Sequence, residues 1–128
     1  MYKDVESTLI ENKNLAIQVL SEIGAKIASI YSKKDNYEFL VQAPGKQYRK
    51  QEYDGTYIRG ECSGFDDMFP TIDRCYYEEY PWKGTLLPDH GEVWSLKWDE
   101  IVRENALHLT VHGVRLPYRL EKSISLPD

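Results

Sequence analysis

No stretch of this sequence is apolar for long enough to cross a membrane as a helix, and its opening residues MYKDVESTLIENKN lack the basic segment and apolar core of a secretory leader. A cytoplasmic location is expected. Cysteine is scarce: Cys62 and Cys75 are the only two. Their spacing fits no zinc motif, and a reducing compartment disfavours a structural disulfide between them. Clustered positive charge is missing as well. The 16 Lys and Arg are outnumbered by 21 Asp and Glu, for a formal net charge of -5. The scattered cations leave no electrostatic footprint by which a protein holds nucleic acid. Sustained helical periodicity is the last absence. Leu15, Val19 and Ile23 recur at roughly helical spacing, but Gly24 interrupts them and β-branched residues are frequent nearby.

What is present is a strand pattern at both ends. Ser7 to Ile10 and Leu15 to Leu20 are aliphatic and β-branched, with polar Glu11, Asn12, Lys13 and Asn14 between them, which predicts a β-hairpin. Ser21, Glu22 and Gly24 make the next turn. A third strand is predicted over Ala25 to Tyr31 and, after SKKDN, a short fourth over Tyr37 to Val41. Near the other end, Trp94, Leu96 and Trp98 alternate with Ser95, Lys97 and Asp99. Leu107, Leu109 and Val111 alternate with His108, Thr110 and His112, and Leu120, Ile124 and Leu126 with Arg119, Glu121, Ser123 and Ser125. A period of two puts one face of each strand in a core and the other in water. The expected fold is an all-β, antiparallel β-sandwich forming one domain over residues 1–128. The last residues, SISLPD, follow a strand directly, so an open sheet edge and self-association through it are expected.

Between Ala43 and Pro88 lie four prolines and many of the glycines and tyrosines, the composition of a long loop with short strands. Loops of that size in a compact domain are usually functional. Two segments concentrate polar and aromatic groups: GFDDMFPTID, from Gly64 to Asp73, and LLPDHGEVWSLKW, from Leu86 to Trp98. A pyranose offers C–H faces that lie well on flat aromatic surface and hydroxyls that need paired donors and acceptors. Phe65, Phe69, Tyr76, Tyr77, Trp82 and Trp94 could supply the first, and Asp66, Asp67, Asp89, His90 and Glu92 the second.

The order of GAKIASI, NYEFLVQ, GFDDMFPTID and LPDHGEVW resembles the amino-terminal half of the aldose 1-epimerase, or galactose mutarotase-like, family, including its sugar-phosphate mutarotase branch. The likeness spans nearly the whole chain. It implies half of a β-supersandwich and, in the complete family domain, the interconversion of aldose anomers. There a carboxylate removes the anomeric hydroxyl proton while a histidine protonates the ring oxygen, and no cofactor is needed. His90 resembles the first-half histidine that contacts sugar oxygens, and Arg59 or Arg74 stands for the arginine that often precedes it. The acid histidine and base glutamate of the family lie in its second half and have no counterpart here. The resemblance therefore implies binding of a monosaccharide or sugar derivative with incomplete catalysis. The substrate contacts expected are His90, Asp66, Asp67, Arg59, Arg74, Trp82 and Glu92.

Plainer roles stand beside these. His90, next to Gly91, could serve only a turn, and Asp66 and Asp67 could cap a turn in solvent. Trp94 and Trp98 are expected in the core, which leaves Trp82, beside Pro81 in a loop, as the better sugar platform. Two further function classes remain open: a noncatalytic carbohydrate-binding or interaction β-sandwich, and a cupin-like metal site built from His108, His112, His90 and Glu92.

Overall fold

The strand-forming segments at the two ends each fold back on themselves as an antiparallel meander. The structure, a computed structural model, describes residues 1–128. In the first meander β1 (Thr8–Glu11), β2 (Leu15–Leu20), β3 (Lys26–Ser32) and β4 (Tyr37–Glu38) pair in sequence order. The β1–β2 hairpin turns on Asn12, whose side-chain carbonyl accepts the amides of Asn14 at 2.9 Å and Leu15 at 2.8 Å. The central segment contributes a one-turn 3-10 helix (Tyr57–Arg59) and a two-residue ladder of β5 (Cys75–Tyr76) with β6 (Leu86–Leu87). β7 (Asp99–Arg103), β8 (Ala106–His112) and β9 (Arg119–Ser125) then form a three-stranded antiparallel sheet. The protein is all-β, and no helix is long and apolar enough to cross a membrane.

The two meanders share one apolar cluster. Ile10, Ile17 and Val19 come from the first sheet and Leu107, Leu109 and Val111 from β8, with Ala25 from the β2–β3 turn and Val93 and Trp98 from the segment before β7. Full burial of each aliphatic side chain stabilises the fold by about 1.5–3 kcal/mol. The shared cluster is consistent with a sandwich-like fold. A register shift at Gln18/Val19 marks where β2 begins to serve two faces: Val19 enters the shared core, while Leu20 joins Tyr2, Val5, Ile23, Ala28 and Tyr48 in a second cluster. The first sheet is thus covered on both faces at this end.

Two expectations are corrected, and one strand was not foreseen. Trp94 to Trp98 is a turn, not a strand, although both tryptophans are buried. Its backbone bonds go elsewhere: Leu96 carbonyl accepts the Gly24 amide at 2.6 Å, and the Trp98 amide donates to Ser21 carbonyl at 2.8 Å. Gly24 is required there, since it sits at φ +67 and a Cβ on it would come within 2.1 Å of Trp94 carbonyl oxygen. The fourth strand stops at Glu38, because the Glu38 carboxylate takes the Ile30 and Leu40 amides at 3.0 and 2.9 Å in place of a longer ladder. β7 was not legible at all: its five residues, DEIVR, are all exposed and carry no alternation.

Candidate functional site

The two motif segments do meet. The His90 amide donates to Ile72 carbonyl at 2.6 Å and the Glu92 amide to Phe69 carbonyl at 2.8 Å, while Phe69 and Gly91 form a parallel bridge. This clasp presses two backbones together. Gly91 has φ +78, and a Cβ there would lie 2.3 Å from Phe69 oxygen. His90 itself sits at φ +60, a left-handed conformation that costs a non-glycine residue about 1–3 kcal/mol and is held by its surroundings.

Those surroundings orient the imidazole closely. The ring stacks on Tyr57, with centroids 4.1 Å apart and planes at 5°, and meets Trp94 edge-on at 6.4 Å. His90 Nδ1 lies 2.9 Å from Asp89 Oδ1, and Asp89 Oδ2 accepts the Tyr57 amide at 2.9 Å. The Tyr57 amide and then the His90 ring hold the Asp89 carboxyl below the usual carboxylate range. A carboxylate on Nδ1 selects the tautomer with its proton there, which turns Nε2 into the free acceptor. Nε2 makes no hydrogen bond within the chain, and the side chain keeps 26% exposure.

Behind Tyr57 lies a buried ion pair. The Tyr57 hydroxyl donates to Asp66 Oδ2 at 3.0 Å, and Lys26 Nζ approaches the same oxygen at 3.4 Å, with side chains only 0% and 4% exposed. Burial pushes the Asp66 carboxyl up and the Lys26 ammonium down, each partly offset by the other's charge. Burial, followed by the Asp66 charge, also raises the Tyr57 phenol. Neither Lys26 Nζ nor Asp66 Oδ1 has a hydrogen bond, although Nζ lies 5.3 Å from the centre of the Tyr48 ring.

The remaining expected contacts are dispersed. Asp67 pairs with Lys122. Glu92 is fully buried and accepts from Tyr118 hydroxyl at 2.8 Å, Arg115 amide at 3.0 Å, Val114 amide at 3.3 Å and the Tyr53 hydroxyl. Its carboxylate is committed to structure, and a sugar contact would require displacing one of these donors. Arg74 is bonded to Asp54, which Arg115 also engages, and Arg59 lines a separate polar hollow with Lys50, Glu52 and Thr56. Trp82 is 43% exposed and lines a concavity of about 250 Å³ with Phe69, Tyr77, Leu116, Pro117 and Tyr118. Trp94 is core, with its indole N–H donating to Asp89 and Gly91 carbonyls, each at 3.0 Å. His108 and His112 lie exposed on β8 and are not gathered with His90 and Glu92, and no group of three or more His, Cys, Asp or Glu is placed to hold a metal ion. Cys62 and Cys75 are exposed and unpaired.

Comparison with known protein families, with curated proteins and with solved structures finds no match. The site's chemistry therefore rests on its own geometry. Its least foreseen member is Tyr57, which joins His90, Asp89 and Asp66 through ring, amide and hydroxyl. As one of ten tyrosines in the chain, it carried no motif to set it apart.

Proposed function

We propose that this chain binds a monosaccharide or close sugar derivative at the His90 turn, as an aldose 1-epimerase-like carbohydrate-binding protein. The observation that carries this reading is the imidazole fixed on three sides by Tyr57, Asp89 and Trp94, with Nε2 left without a partner. A neutral Nε2 accepts from a sugar hydroxyl and a protonated one donates to a ring or hydroxyl oxygen, so an anchored ring of this kind suits a ligand rich in both. The aromatic concavity at Trp82, Tyr77 and Phe69 supports the same class, since its flat apolar walls suit the C–H face of a pyranose.

Anomer exchange needs an acid and a base on opposite sides of the reacting bond. In this chain Asp66 is buried, Glu92 is saturated and Asp89 is held by Tyr57 and His90. We expect binding without acceleration of mutarotation by the isolated chain. The test is titration of the chain and of His90→Ala with galactose and glucose, followed by tryptophan fluorescence, with polarimetric mutarotation alongside. A saturable response lost in His90→Ala, with rotation rates at the buffer blank, is the expected result. No saturable response from the unaltered chain to either sugar, or equal responses from both proteins, would sink the reading.

A further inference from the structure

β7 has β8 on one side and no strand on the other. All five of its residues are exposed, with Ile101 at 54% and Val102 at 59%. Natural proteins commonly blunt such an edge with charged side chains, proline or a bulge. DEIVR has no proline or bulge, its charges are of both signs and can be paired by a suitable second strand, and its register with β8 runs unbroken from Asp99 opposite Thr110 to Arg103 opposite Ala106. The backbone groups on its free side are therefore regularly spaced for another strand.

The side chains say which strand. We propose that β7 is a dimerisation edge, on which a second copy of this chain pairs antiparallel about Ile101 to join the two three-stranded sheets. An antiparallel pairing centred on Ile101 sets Ile101 against itself and Asp99 against Arg103 of the other copy, twice by symmetry. Asp99, Ile101 and Arg103 alternate with their neighbours and so share one face of the sheet. The two charges make no salt bridge within the chain, so both are free for this role. On the other face Glu100, already accepting from Thr8 hydroxyl at 2.8 Å, lies opposite Val102. The other long edge, β9, lacks this self-complementarity: centred on Lys122 it opposes two lysines, and centred on Glu121 two glutamates. The pairing is independent of the sugar site, since β7 contributes no residue to it.

Sedimentation velocity across the micromolar range tests it, with near-UV circular dichroism of the buried tryptophans as the check on folding. The chain should dimerise. Asp99→Arg and Arg103→Asp should each weaken the dimer about tenfold, because each change turns two attractive cross-strand pairs into repulsive ones, and the double exchange should restore it. Register is read separately by Ile101→Cys in a Cys62→Ser, Cys75→Ser background. Opposed Cα atoms about 4.5–5.5 Å apart are within disulfide reach, so oxidation should give a covalent dimer, whereas Val114→Cys should not. A monomer at every concentration overturns the proposal. So does a dimer indifferent to the charge changes, or one that Ile101→Cys fails to cross-link.

Discussion

In the two meanders strand ladders and buried hydrocarbon hold the chain together, whereas in the central segment and the turns after it scattered backbone bonds are supplemented by carboxylates that gather donors. Leu107, Leu109 and Val111 stabilise by losing contact with water, and their neighbours need only be apolar and of suitable size. Asp66, Asp89, Glu61 and Glu92 instead collect donors from distant parts of the chain. Glu92 reaches Tyr53, the 114–115 amides and Tyr118, while Glu61 takes the Lys3 ammonium and the Arg49 amide at 2.7 Å. The difference teaches where tolerance ends. A hydrocarbon contact degrades gradually, but a buried charge stripped of its partner costs its full desolvation.

The largest expected effect follows from that. Asp66→Ala, which leaves Lys26 buried and uncompensated, should lower stability by about 3–5 kcal/mol in denaturant unfolding, and Lys26→Met added to it should recover most of the loss. A double variant no more stable than Asp66→Ala would break the comparison. Leu109→Ala in the shared core should cost about 3 kcal/mol by the same measurement, without rescue by any charge change. Gly91→Ala meets both an unfavourable φ and Phe69 oxygen, so it should cost about 1–3 kcal/mol and abolish the fluorescence response to sugar.

A pH titration sharpens the contrast further. Asp66 is raised by burial in the fold, so its contribution favours folding below the ordinary value of 3.8 and is lost as pH rises through the raised one. Asp89 is depressed, so its contribution is present above 3.8 and is lost as pH falls through the lower folded value. Carboxyl-carbon resonances should therefore show Asp66 titrating above 3.8 and Asp89 below it; the reverse order would contradict the assigned roles. The smallest effect is expected at His108, exposed on β8, where His108→Ala should change stability by no more than about 0.5 kcal/mol and leave sugar binding intact.

The ladder pattern was legible where side chains alternate. β8 and β9 follow from residues whose polarity switches every second position, because one face of each meets the core, whereas β1, β2 and β3 follow from aliphatic and β-branched runs bounded by polar turns. The alternation of Trp94, Leu96 and Trp98 misled for a physical reason. Both indoles are buried as a strand would bury them, yet each donates its N–H to a nearby carbonyl and wraps a turn instead. In the candidate site, the concentration of polar and aromatic residues in GFDDMFPTID and LPDHGEVW was legible, while the fates of Glu92, Arg59 and Arg74 were not. A charged residue in a loop looks the same in sequence whether it faces solvent or gathers four donors.

The sequence by itself determined that this protein is all-β and antiparallel and carries a net negative charge, because composition and strand patterning act locally and need no partner to be read. Only the tertiary structure decided that Tyr57 stands under His90, that Asp66 is sealed against Lys26, and that β7 is left with a bare edge. Those outcomes depend on contacts between residues tens of positions apart, and long-range contacts of that kind are set by packing, to which no local pattern refers.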